Sequence, residues 1–298
     1  GRMEIQTLWP LSQGELEGRR ERFVDALFSG RPLALDAESA ALSREELIQR
    51  VLAGGYPEVL GRPESRRRRA WFGSYINAIL QRDVREISNI EGMADLPRLL
   101  SLLAARAGML LNFAELSRSS AIPQTTLKRY MTLLEMTFLV DYLHAWSGNL
   151  GKRLTKSPKI LLCDTGLAAY LLGLEEGIES HASAFGGLLE NFVAMEVRKQ
   201  IAWSDVQPRI YHFRTQGDQE VDLLLEDARG RVVGIEVKAS GSVGEREFRH
   251  LRFLADELGD RFVRGVVLYT GSEVLSFDPK MTALPMAALW RLEAEPSK

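Results

Sequence analysis

Charged side chains that interrupt apolar strands are the residues of this chain with chemistry to offer. Val233-Gly234-Ile235-Glu236-Val237-Lys238 reads as a strand. Strand side chains alternate faces, so Glu236 and Lys238 project from one side, about 6.6 Å apart by strand rise. The Val and Ile side chains take the other side. Asp222 breaks a second apolar run, Val221-Asp222-Leu223-Leu224-Leu225. A carboxylate in a buried strand is costly unless it is paired or bound to metal. Two carboxylates on adjacent strands can hold Mg²⁺, which prefers hard oxygen ligands and keeps several waters, and Mn²⁺ suits the same oxygens. With a neighbouring ammonium, such a set meets the needs of phosphodiester hydrolysis: activated water and stabilised phosphoryl charge. Asp222 and Glu236 are expected as metal ligands and Lys238 as the electrostatic or water-positioning group. Glu190, on the preceding helix, is expected as an auxiliary acid. The competing reading is a salt bridge from Lys238 to Glu236 or Asp222 on a solvated sheet face.

The elements that must position this trio follow from pattern. From Gly187 onward the order is a helix (188–201), three strands (210–214, 220–225, 232–239), a helix (245–258) and a strand (264–270). This αβββαβ order implies a small mixed sheet with helices on its faces. Before it, 113–119 and 124–135 read as two helices about the turn Ala121-Ile122-Pro123, a helix-turn-helix pattern. Two β-like runs, 138–145 and 159–163, flank a loop carrying Lys152, Arg153 and Lys156, the pattern of a wing. Lys128 and Arg129 on the second helix and the three loop cations are expected to meet DNA phosphates, with a protein–protein role as the alternative. Residues 12–103 read as helical, with a capping box at Ser43-Arg44-Glu45-Glu46 and one long helix over 64–87.

Other motifs carry less. Gly148-Asn149-Leu150-Gly151-Lys152-Arg153 lacks the pattern of a phosphate loop, because Trp146 holds the first Gly position and Arg153 the Ser/Thr position. No ATP-binding residue is expected here. Arg66-Arg67-Arg68-Arg69 spreads around its helix and reads as a solvated helix start, with a DNA or subunit contact as the alternative. The four histidines show no metal-ligand spacing. The single cysteine, Cys163, excludes an intramolecular disulfide and suits a reducing cytoplasm. A net charge of −2 leaves any nucleic-acid contact to a local basic patch. No apolar stretch is long enough to span a membrane, and the chain is expected to be cytoplasmic.

An ordered series of motifs runs through the chain. It comprises Gly1-Arg2-Met3-Glu4-Ile5 with Leu8-x-Pro10-Leu11-Ser12-x-x-Glu15, Gly54-Gly55-Tyr56-Pro57, Gln81-Arg82-Asp83-Val84, and Thr126 through Leu134. Lys156-Ser157-Pro158-Lys159 with Asp164-Thr165-Gly166-Leu167, Gly187-x-x-Glu190-Asn191-Phe192-Val193, Glu220-Val221-Asp222 and Glu236-Val237-Lys238 complete it. In this series the chain resembles the C-terminal two-thirds of prokaryotic AAA-type ATPases that carry domain of unknown function 4143. The resemblance implies a parent whose ATP site would precede residue 1, so that ATP serves only the full-length protein. It also implies a last domain of the PD-(D/E)XK, restriction-endonuclease-like fold, onto which Glu190, Asp222, Glu236 and Lys238 map. That fold also hosts binding-only members.

The expectation is thus an α and α/β multidomain chain. It comprises a helical ATPase remnant (1–107), a winged helix-turn-helix (108–172) and a PD-(D/E)XK-like domain (173–298). The partner is DNA, with the chain's own ATPase core or a second copy as further partners. A non-catalytic DNA- or protein-binding module serving an ATPase motor is the alternative function.

Overall fold

The computed structural model describes residues 6–84, 95–148, 156–174, 182–217 and 219–292. The chain is mixed α/β, with a helical N-terminal part and a C-terminal mixed sheet. Its residues group into two compact units, each built from separated stretches of sequence. A helical unit contains described residues of 49–143 and 157–192, and a sheet unit those of 1–48, 144–156 and 193–298.

In the helical unit the apolar spacing has the effect that periodicity predicts. Leu96, Leu99, Leu100 and Leu103 recur at i, i+3, i+4 and i+7 in the helix Leu96–Ala104, and all four are fully buried. The helix expected over 64–87 is α-helical over Ser65–Ala78 and continues as a π-helix, Ile79–Val84. Its aromatic face stacks Trp71 on Tyr75 at 4.9 Å and Phe72 on Tyr170 at 5.6 Å.

Helix Phe113–Ser120 starts at Asn112, whose Oδ1 accepts the Ala114 and Glu115 N–H groups at 3.1 Å. It stops at Ala121, in the left-handed conformation with φ 60°. Helix Gln124–Met136 follows and buries Leu127, Tyr130, Met131, Leu133 and Leu134. Strands β1 (Val140–Leu143) and β2 (Lys159–Leu162) then pair antiparallel, Val140 opposite Leu162.

The sheet unit holds six strands: β3 (Arg209–Arg214), β4 (Glu220–Glu226), β5 (Val232–Lys238), β6 (Phe262–Tyr269), β7 (Leu275–Asp278) and β8 (Met281–Pro285). Their order is β3-β4-β5-β6-β8-β7. The pairs β3–β4, β4–β5 and β7–β8 are antiparallel, while β5–β6 and β6–β8 are parallel. A parallel pair needs a crossover, and helix Arg249–Leu258 supplies it between β5 and β6. That helix sits close because two facing residues, Gly234 and Gly265, have no side chain. A Cβ on Gly234 would come within 2.5 Å of Leu251 Cδ2, and one on Gly265 within 3.1 Å of Leu251 Cβ. Leu251, Leu254, Phe248, Val232, Leu224 and Trp146 form the core of this layer.

Residues 6–48 serve the sheet unit. Helix Phe23–Phe28 packs on β6, and Gln13 N–H reaches the buried Glu196 carboxylate at 2.8 Å. Glu17 receives Arg291 through Nη2 at 2.8 Å and Nε at 3.0 Å. The loop leaving β1 also joins this unit: Trp146 N–H donates to the His212 carbonyl at 2.7 Å and His212 N–H to the His144 carbonyl at 2.9 Å. The residues after β1 thereby extend the sheet beside β3, with Trp146 in its core. Among the described residues no helix is long and apolar enough to cross a membrane.

Candidate functional site

Strand register brings the acidic pair together. Leu223 lies opposite Ile235, so one residue further along, Asp222 and Glu236 stand opposite each other. The β4–β5 ladder ends there, and the Val237 N–H is taken by the Asp222 side chain, Oδ2 at 2.9 Å. Lys238 lies two residues after Glu236 on the same face, and its Nζ is 3.0 Å from Glu236 Oε2. Glu236 is 5% exposed, whereas the Lys238 side chain is partly open to solvent. The expected trio of Asp222, Glu236 and Lys238 therefore forms one cluster at the end of β4 and β5. The salt bridge weighed as the competing reading is also present, but on a buried carboxylate.

The electrostatics follow from that burial. Loss of solvent raises the Glu236 pKa to about 8, and the Asp222 charge beside it adds to the rise, while Lys238 opposes it. Burial works against the Lys238 ammonium, yet Glu236 and then Asp222 outweigh it, so its pKa is raised. Two carboxyl groups within hydrogen-bonding reach, one of them in a dry position, fit a divalent cation of the Mg²⁺ class. Such an ion takes one or two protein carboxylates and fills its remaining positions with water and substrate oxygens. Among the described residues no group of three or more His, Cys, Asp or Glu is placed to hold a metal.

Glu190 belongs to the helical unit. Lys159, 2% exposed, holds the Glu190 carboxylate at 2.7 Å. The next residue, Asn191, is fully buried and clamps the Leu162 backbone, accepting its N–H at 2.8 Å and donating to its carbonyl at 2.9 Å. Both contacts tie helix Ala182–Ile201 to β2. Asp164 likewise binds backbone with both carboxylate oxygens. Its Oδ1 caps helix Thr165–Leu172 through Leu167 N–H, and its Oδ2 accepts Gly55 N–H at 2.7 Å. Several of the sequence motifs thus meet one another and hold backbone in place.

Of the expected DNA-contacting cations, Lys128 and Arg129 are exposed on helix Gln124–Met136, with Lys128 Nζ 5.8 Å from the centre of the Phe113 ring. Lys156 donates to the Arg214 carbonyl at 3.1 Å. Lys152 and Arg153 lie outside the described residues. Sequence reasoning missed Lys159 as the partner of Glu190, and it missed Arg44, whose guanidinium reaches the carbonyl of Ala239 just past Lys238. Nothing local signals either contact, because the partners are 31 and 195 residues apart.

Two family models match the chain. Residues 44–177 match one described as Domain of unknown function (DUF8612), and residues 185–289 match Domain of unknown function (DUF4143). The trio Asp222, Glu236 and Lys238 falls inside the second match. Two curated relatives, uncharacterized proteins of Mycobacterium bovis and Mycobacterium tuberculosis, are each 31% identical over 235 residues. The aligned region is 78% of this chain and 51% of each relative, so the chain spans about half the length of the curated relatives it matches.

Proposed function

We propose that Asp222, Glu236 and Lys238 form a Mg²⁺-dependent phosphodiester-hydrolysing site of the PD-(D/E)XK kind, in the DNA-directed C-terminal portion of an AAA-type ATPase. The observation that carries this reading is the convergence of the Asp222 and Glu236 carboxyl groups at one strand end, with Lys238 on the same carboxylate. The order helix, β3, β4, β5, helix, β6 supports the nuclease-like fold. The DUF4143 match supports the link to an ATPase parent, since that domain is typically found with AAA ATPases. Neither matched model is itself an AAA model, and ATP chemistry belongs to the parent.

Asp222 and Glu236 would hold the divalent cation, which would supply Lewis-acid neutralisation of the phosphoryl oxygens. Asp222 is aligned for this by the Val237 N–H, which fixes its carboxylate. Lys238 places an ammonium where negative charge builds on the non-bridging oxygens in the transition state. In the hydrolysis a water oxygen bonds to phosphorus and gives up a proton to solvent, the ester P–O bond breaks, and the leaving oxygen takes a proton from solvent. Glu190, held by Lys159, is kept as the auxiliary acid and is given no step. The two helices Phe113–Ser120 and Gln124–Met136 with the β1–β2 pair are read as a winged helix that brings DNA through Lys128 and Arg129.

Cleavage of plasmid and oligonucleotide DNA with Mg²⁺ or Mn²⁺ tests the site. Glu236→Gln and Lys238→Ala should each lose activity by about 100-fold or more. Equal nicking by wild type and variants, or none by any of them, overturns the hydrolytic reading and leaves a binding module.

A further inference from the structure

Trp203 follows the helix Ala182–Ile201, and its backbone is fixed on both sides. Its own N–H donates to the Gln200 carbonyl at 3.1 Å, and the next residue, Ser204, donates its hydroxyl to the Asp25 carboxylate. The indole is only half-buried. Among the described residues neither its ring nor its Nε1–H has a partner. A large aromatic ring held by its backbone but left without a ring neighbour offers a flat apolar face for stacking.

Trp203 lines a cleft of about 360 Å³ together with Glu15, Gly18, Arg19, Arg20 and Glu21, a volume in the range of pockets that take small organic ligands. All of these residues belong to the sheet unit. The turn that supplies the other lining residues is rigid. Gly18 is left-handed with φ 66°, and its N–H donates to the Glu15 carbonyl at 3.1 Å. The Arg19 N–H donates to the Gly14 carbonyl at 2.8 Å. Arg20 is exposed and has no partner among the described residues. Arg19 reaches Glu17 at 3.5 Å, a carboxylate that Arg291 and Trp290 Nε1 hold more closely. Both arginines also line a second hollow of about 180 Å³. Of the two acids in the cleft, Glu21 spends its oxygens on Ser12 and Gly14, and Glu15 spends one on the Ser12 N–H at 2.8 Å.

We infer that this cleft binds a nucleoside monophosphate, its base stacked on Trp203 and its phosphate gripped by Arg20 with Arg19 beside it. An indole face stacks on any nucleobase, and the planar fork of arginine matches phosphate oxygens two at a time. The second oxygen of Glu15 accepts from an exocyclic amine of the base. None of these residues belongs to the Asp222, Glu236 and Lys238 cluster, so the inference stands independently of phosphodiester hydrolysis.

Isothermal titration of the chain with AMP and with adenosine decides the point. AMP should bind the wild type. Arg20→Gln should weaken AMP about tenfold or more, the loss of a charge-assisted hydrogen bond. Adenosine, which has no phosphate, should keep its affinity in that variant. Trp203→Ala should weaken both ligands about tenfold through lost stacking, and Trp203→Phe should recover most of the affinity because its ring still stacks. Arg20 is exposed and Trp203 half-buried, so neither change empties a core position. Absence of AMP binding at millimolar concentration overturns the inference. So does an AMP affinity unchanged in Arg20→Gln or in Trp203→Ala, or an equal loss of AMP and adenosine in Arg20→Gln.

Discussion

Buried carboxyl groups are where this sequence departs furthest from ordinary behaviour, and Glu21 shows it apart from the candidate site. It is 2% exposed and accepts hydrogen bonds from Ser12 Oγ at 2.8 Å and Gly14 N–H at 2.7 Å. Burial pushes its pKa up to about 7, the two hydrogen bonds pull against that, and the charges of Glu196 and Glu15 add to it. The folded pKa is raised above the unfolded value, so the folded state holds the extra proton between about 4.5 and 7. The stability this contributes is fully present below about pH 4.5 and is lost as pH rises through about 7, by on the order of 1–3 kcal/mol. Denaturant unfolding at pH 5 and pH 8 should show that loss in the wild type and a smaller one in Glu21→Gln. Identical pH dependence in the two proteins would contradict the assignment. Glu236 shares the burial, but a lysine partner and a second carboxylate make it a candidate site, whereas Glu21 binds the backbone of its own loop.

At the scale of elements, the sheet depends on how closely helix Arg249–Leu258 can lie on β5 and β6. Gly234 and Gly265 permit that approach, with Leu251 resting over both. Gly234→Ala should cost about 1–3 kcal/mol through overpacking, and combining it with Leu251→Ala should be markedly non-additive, because the second change removes the atom that collides. Thermal unfolding of the four proteins of this cycle measures the coupling, and strict additivity would place the strain elsewhere. The helix and the strands β3 to β6 were legible in the sequence because each carries its own period or apolar run. The pair β7 and β8 was not: Leu275–Asp278 shows no alternation in burial, and Met281–Pro285 is five residues ending in proline. The parallel β6–β8 pairing, not a local preference, makes them strands.

Helix Gln124–Met136 buries one face and leaves Lys128 and Arg129 exposed. In the proposed reading these cations meet phosphates. Lys128→Glu with Arg129→Glu should therefore weaken DNA binding about equally for all sequences and lower the salt slope by about 2. Unchanged affinity would leave that surface to a protein partner. The sequence by itself determined the helix Arg249–Leu258, the strands β3 to β6 and the pairing of Glu236 with Lys238 on one face, because strand period and helix period are local properties of the chain. It also marked Asp222 as an acid out of place in an apolar strand, and the short β4–β5 connection made its meeting with Glu236 a near neighbour's affair. Only the tertiary structure decided that residues 6–48 serve the C-terminal sheet, that Glu190 answers to Lys159, and that Arg44 reaches the Ala239 carbonyl. Those contacts join residues far apart in the chain, and no period in either partner's own segment encodes where the other will be.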